Sequence, residues 1–176
     1  MGSNLDTYSS TISRHRTKQA YLEWFSELNP QFAFTGTALQ SIPITGGDHE
    51  VLNVELLRQN VQHFIKNLSR KLYGCRAVKD GNWVKYTGSI EGDQGDALTC
   101  SQRLHVHLSI EIDQSICRVP LDEVTEIMQE SWQDTKWGRE ITQTEEIHNQ
   151  SGWDRYCLKH FDLEDTSRIL INIPKN

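Results

Sequence analysis

Two histidines separated by one apolar residue, His105-Val106-His107, stand inside the run Arg103-Leu104-His105-Val106-His107-Leu108-Ser109-Ile110-Glu111. The run reads as a strand. Side chains at i and i+2 of a strand share a face, about 7 Å apart, so both imidazoles can converge on one metal ion. Leu104, Val106, Leu108 and Ile110 then fall on the opposite face, toward a core. A half-buried strand with two solvated imidazoles has the same alternation, so the metal reading depends on which other groups join the pair.

Two other segments carry suitable groups. Trp83 to Glu91 alternates as a strand, with Trp83, Lys85, Thr87, Ser89 and Glu91 on one face. A hairpin through residues 92–102 would bring Glu91 near the histidines, with Asp93 and Asp96 as substitutes. One carboxylate and two imidazoles suit a divalent cation, Mg²⁺ or Mn²⁺, with positions left for water and phosphate. The second segment is Gly152-Trp153-Asp154-Arg155-Tyr156-Cys157-Leu158-Lys159-His160-Phe161. On a helix Tyr156 and Lys159, at i and i+3, share a face with His160 beside them, and Trp153, Cys157, Leu158 and Phe161 are left to pack. A phenol ionises near pH 10 and is a poor nucleophile until its charge is stabilised, which a neighbouring ammonium can do. An ordinary amphipathic helix has the same spacing.

The elements that must position these groups follow from periodicity. A helix is expected from about Thr17 to Leu28, using Tyr21, Leu22, Trp24, Phe25 and Leu28, and Asn29-Pro30 stops it. Phe32 to Leu39 reads as a strand and Ser41 to Asp48 as a loop. A long amphipathic helix is expected from about Asn53 to Leu72, with Gly74 as its stop. Leu121 to Trp132 reads as a helix, Arg139 to Ile147 as a strand and Ile169 to Ile173 as a last strand. This mixed order favours an α+β fold: a central antiparallel sheet of about five strands with helices packed on one face. Residues 1–16 are expected to be a flexible N-terminal segment, and 17–176 a single domain.

Composition narrows the classes. No apolar run approaches the roughly 20 residues needed to span a bilayer, and the first residues lack the basic start and apolar stretch of a secretion signal. Cys75, Cys100, Cys117 and Cys157 are scattered, which argues against a structural zinc site or a disulfide framework. The expectation is a soluble, cytoplasmic protein without a membrane partner. A net charge of −6 argues against sequence-blind adhesion to nucleic acid. Arg58, Lys66, Arg70, Lys71, Arg76 and Lys79 nevertheless form a positive middle section, while acids crowd the region from Asp113 to Glu146. That asymmetry fits one DNA-facing side and equally a solvated helix face.

Phe34-Thr35-Gly36-Thr37, His105-Val106-His107 and Tyr156-Cys157-Leu158-Lys159, in that order, resemble the three motifs of the HUH endonucleases. These are the replication initiators of rolling-circle plasmids and phages, with relatives among relaxases and single-strand transposases. The stretch Tyr21-Leu22-Glu23-Trp24-Phe25 leading to Asn29-Pro30 is also similar to bacterial plasmid and phage initiators. The resemblance covers nearly the whole chain. It implies a ferredoxin/RRM-like nuclease fold that nicks and joins single-stranded DNA, or an origin hairpin, through a 5′-phosphotyrosine intermediate. Under it His105, His107 and Glu91 hold one divalent cation, Tyr156 is the nucleophile and Lys159 orients or stabilises it. Arg103, Lys85, Thr35 and Thr37 are then candidates for DNA contact, with a host helicase and polymerase as further partners.

The pattern departs from the family in places. Gly36 replaces the usual apolar residue between the threonines, which is expected to loosen that strand. His160 stands where a second tyrosine would make a paired-tyrosine enzyme, so a single-tyrosine type is implied. Three rivals stand beside this reading. One is a non-catalytic RRM-like module stacking bases on Phe32, Phe34 or Trp83. Another is a metal-dependent phosphodiesterase that activates water, and the last an accessory protein.

Overall fold

Strand alternation and one long amphipathic helix dominate the architecture of the computed structural model, which describes residues 3–92, 103–161 and 165–172. Helix α1 (Ser3–Phe25) leads into strand β1 (Phe32–Ala38). A small hairpin of β2 (Ser41–Pro43) and β3 (His49–Val51) follows, then α2 (Val54–Lys79), β4 (Lys85–Glu91) and β5 (His105–Glu111). A 3-10 turn at Leu121–Glu123 opens α3 (Val124–Gln133), and β6 (Gly138–Glu146), α4 (Gln150–Cys157) and β7 (Ile169–Asn172) complete the order. Asp93 and Asp96 lie outside the described residues.

Five strands form one antiparallel sheet in the order β6-β1-β5-β4-β7. With its four helices this is an α+β fold compatible with the ferredoxin/RRM-like class. One sheet face presents Phe32, Phe34, Val106, Leu108, Ile110 and Ile90, which pack with Leu57, Val61, Phe64 and Leu68 of α2 and Met128 and Trp132 of α3. The other face is covered in part by α4. Its Cys157 and the following Leu158 and Phe161 cluster with Phe25 of α1 and Ile169 of β7. The helices therefore flank both faces, where helices on one face only were expected. The reason is that β7, paired with β4, offers Ile169 and Ile171 on the histidine side as a second apolar footing.

Several boundaries move. Helix α1 starts at Ser3, well ahead of Thr17, although the added stretch is rich in Ser and Thr, which are poor helix formers. Helix α2 is capped by Asn53, whose side chain accepts from the Leu56 N–H at 2.8 Å. It is interrupted at Gly74 (φ 84°, ψ 161°) and resumes to Lys79. A side chain at Gly74 would collide with the Arg118 guanidinium. The β2–β3 hairpin occupies the segment expected to be a loop. At Gly36 the pairing of β1 with β5 continues through Val106, while the pairing with β6 reaches Thr142 and then shifts register between Gly36 and Ala38. The space a Cβ would take there is filled by Trp132, whose indole N–H donates to the Thr37 carbonyl at 2.8 Å. No helix among the described residues is long and apolar enough to cross a membrane.

Candidate active site

Register assembles the first three groups. Antiparallel pairing of β4 with β5 sets Glu91 opposite His105 and Ser89 opposite His107. Pairing of β1 with β5 sets Thr35 opposite His107. Directly opposed residues point to the same face, so Glu91, His105, His107 and Thr35 share one side of the sheet. Glu91 Oε2 lies 3.5 Å from His107 Nε2 and 3.7 Å from His105 Nε2, and the two Nε2 atoms are 3.2 Å apart. The three ligand atoms all lie within 4.8 Å of one another.

The outer ring nitrogens are held by other groups. His105 Nδ1 lies 2.7 Å from the Arg103 carbonyl. A carbonyl only accepts, so Nδ1 carries the proton, and in the neutral ring Nε2 presents a lone pair inward. His107 Nδ1 lies 2.9 Å from Thr35 Oγ1, the outer-shell contact that orients a metal-binding imidazole. Burial holds the His105 pKa below the ordinary histidine value, against the opposing bond to the Arg103 carbonyl, which favours its metal-ready neutral form.

Glu91 is buried, and its Oε1 has no hydrogen-bond partner. A buried carboxylate oxygen without a partner is costly. Burial works against the Glu91 charge, but hydrogen bonds and charge from His107 and Lys159 outweigh it and keep the pKa below the usual glutamate value. A buried carboxylate whose Oε2 stands beside two convergent imidazoles, and whose Oε1 has no partner of its own, fits a divalent cation. These residues could hold a metal ion.

Helix α4 brings the fourth group. It stops at Cys157, short of the expected Phe161, so Lys159 and His160 sit in the turn that follows. That turn keeps Lys159 against Tyr156: the Lys159 N–H bonds the Tyr156 carbonyl at 3.0 Å, and Nζ stands 3.6 Å from the centre of the phenol ring. Lys159 Nζ also bonds Glu91 Oε2 at 2.9 Å. Burial pulls the Lys159 pKa down, but bonds to Tyr156 and Glu91 reverse this and raise it, so the group stays an ammonium. The Tyr156 ring is 5.0 Å from the His107 ring and stacks on Trp153 at 5.3 Å and 17°. Tyr156 itself is 42% exposed. A cavity of about 400 Å³ is bordered by His105, His107, Thr35, Trp153 and Tyr156.

The remaining candidates separate from this cluster. Thr37 Oγ1 donates to the Ile141 carbonyl at 2.6 Å, tying β1 to β6. Arg103 is exposed beside the histidines. Lys85 bonds Glu111 at 2.9 Å, at the far end of β4, about 20 Å from Glu91 by strand rise. Phe32 and Phe34 lie in the core on the opposite face, so neither can stack bases. The basic middle section falls on α2, which packs on that same opposite face, and Lys71 there pairs with Glu130 of α3 and with Asp134 just past its end. It therefore does not line the histidine side.

Sequence reasoning overlooked the Thr35–His107 bond, the Lys159–Glu91 ion pair and the plate that Trp153 makes with Tyr156. It also overlooked Asp154, a buried residue of α4, with Ser109 Oγ 3.5 Å from its carboxylate. The one available signal was Trp153 and Tyr156 at helical i, i+3 spacing. No family model, curated protein or solved structure matches this chain significantly.

Proposed function

We propose that this protein nicks and rejoins single-stranded DNA by transesterification through Tyr156, as in the HUH rolling-circle initiators its motifs resemble. The observation that carries the proposal is the meeting of three distant segments. Glu91 with the two histidines, the Tyr156 ring 5.0 Å from His107, and Lys159 joining the phenol to Glu91 form one cluster.

His105, His107 and Glu91 would hold the ion, Mg²⁺ or Mn²⁺, which when bound supplies Lewis-acid stabilisation of the phosphate charge. Tyr156 supplies the nucleophile. Its Oη forms a bond to phosphorus, the P–O3′ bond breaks, and the phenol proton ends on the departing oxygen. The products are a 5′-phosphotyrosine and a free 3′-hydroxyl. One phosphoester replaces another, so the reverse exchange reseals the strand without a nucleotide cofactor. The Lys159 ammonium stabilises phenolate charge. The stacked Trp153 limits the ring to one plane, which keeps the nucleophile positioned. Thr35 holds the His107 ring in orientation through Nδ1.

The test is incubation with random and hairpin-bearing single-stranded oligonucleotides plus Mn²⁺, read as a mass-shifted protein on a denaturing gel. The adduct should form with the unaltered protein and vanish in Tyr156→Phe. An adduct that survives this change removes Tyr156 from the role. Cleavage that leaves no adduct and tolerates Tyr156→Phe supports the water-activating phosphodiesterase instead.

A further inference from the structure

The cavity beside the histidines does not end at the metal cluster. It runs across β1 over Ala33 and Thr35 to Gln143 and Glu145 on β6. A second hollow of about 280 Å³ continues it, sharing Ala33, Glu145, Trp153 and Tyr156. Together they form a trough in the size range of small-ligand sites, about 300–1,000 Å³. Its floor is narrow and flat, because Ala33 contributes only a methyl group. One wall is the stacked pair Trp153–Tyr156, a broad aromatic surface. The other is the edge strand β6, whose register sets Glu145 opposite Ala33 and Gln143 opposite Thr35.

We propose that this trough is a nucleobase pocket that selects a base bearing an exocyclic amino group, with Gln143 and Glu145 as the selecting residues. The inference rests on the single-strand nuclease reading and adds the base preference of that site. A flat floor and an aromatic wall suit a planar ring, since every base has a π-face to offer. The carboxylate of Glu145 on the rim repels phosphate, so an uncharged part of the nucleotide belongs there.

Hydrogen-bond chemistry gives the selection. Gln143 Nε2 donates to Glu145 Oε1 at 2.6 Å. That bond engages the Gln143 amide N–H₂ and one carboxylate oxygen of Glu145, and the hydrogen-bonding atoms that remain on the pair include the Gln143 carbonyl oxygen and the second carboxylate oxygen, both acceptors. The rim thus offers acceptors. Adenine and cytosine answer with an exocyclic amine, guanine with N1–H and its amine, and a carboxylate is an established acceptor for cytosine N4. Thymine places its single N3–H between two carbonyl oxygens, which would face the rim oxygen to oxygen.

The experiment separates the pocket from the nuclease. Tyr156→Phe protein, which keeps the aromatic wall and does not cleave, is equilibrated with a single-stranded DNA library randomised around a hairpin stem, and the bound pool is sequenced. Thymine should be depleted at least about fivefold at one position. Glu145→Gln, whose amide can donate to a thymine carbonyl, should restore thymine there to near parity. Glu145 is exposed on an edge strand, so the variant tests recognition rather than folding, and a thermal melt checks this. Ala33→Val, which raises the floor, should weaken binding and erase the same preference. A pool without any thymine-depleted position, or one whose depletion is unchanged by Glu145→Gln, overturns the pocket. The nuclease reading fails separately, by absence of a Mn²⁺-dependent adduct with the unaltered protein, whatever the pool shows.

Discussion

Along β5, Val106, Leu108 and Ile110 point to one side of the sheet and His105, His107 and Ser109 to the other. On the first side Phe34, Phe64 and Trp132 meet ring to ring at 4.9, 5.5 and 5.8 Å, within a cluster of buried apolar residues. On the second side a smaller apolar cluster under α4 is joined by buried polar groups. Thr87, Ser89, Glu91, His107, Ser109 and Asp154 are all buried there, and Thr87 Oγ1, Ser89 Oγ and Glu91 Oε1 have no partner. The first face has the close apolar packing that stabilises a domain. The second carries desolvated polar groups that work against stability, and these lie around the candidate site. The same strands thus divide stability and chemistry between their two surfaces, and strand alternation makes that division possible.

Substitutions on the two faces should behave differently. Phe64→Ala, on the apolar side, is expected to cost about 3–5 kcal/mol of folding stability, read as a lowered urea midpoint. A loss no larger than that of a surface substitution would break the contrast. His107→Ala, on the polar side, should lower Mn²⁺ affinity at least about 100-fold, roughly 3 kcal/mol, by titration calorimetry. Its effect on the metal-free melting temperature should be smaller than that of Phe64→Ala. The reverse ranking would mean that His107 serves packing rather than metal binding.

Asp154 sharpens the comparison through pH. Burial raises its pKa from 3.8 to about 6, and bonds from Ser109 and Gln150 only partly oppose this. Below about pH 3 the carboxyl is protonated in both the folded and the unfolded chain. As pH rises toward 6 the unfolded chain ionises first, so the folded state loses relative stability until both are charged. Asp154→Asn should therefore stabilise the protein at pH 7.5 by about 3 kcal/mol and flatten this acid-side slope. An unchanged slope in thermal melts from pH 4 to 7 would show that the carboxyl does not carry the penalty. Thr35→Val, which keeps shape and removes the His107 Nδ1 partner, should produce the smallest change, about tenfold in Mn²⁺ affinity. No change in affinity would reduce Thr35 to a strand residue.

Much of this division was legible along the chain. Alternation in Arg103–Glu111 placed both histidines on one side and the aliphatic residues on the other, as found. Helical spacing brought Lys159 to Tyr156 even though the helix ends at Cys157, because the following turn preserves the i, i+3 neighbourhood. The basic α2 residues fitted a DNA-facing side and a solvated helix face equally well, and packing sets them away from the histidine side. Charge can be counted in a sequence, but the face on which a helix packs depends on partners more than 40 residues away. Gly36 shows the same limit, since its reason is Trp132, far along the chain.

Side-chain period is a local property. It follows from backbone geometry, so the amino-acid order by itself determined which residues share a face and what sequence of helices and strands to expect. Register and helix docking are long-range. Only the tertiary structure decided that Glu91 stands opposite His105, that Thr35 holds His107, and that α4 lays its aromatic plate along a trough edged by Gln143 and Glu145. Those choices depend on packing and hydrogen bonds summed over the whole core, which no single segment contains.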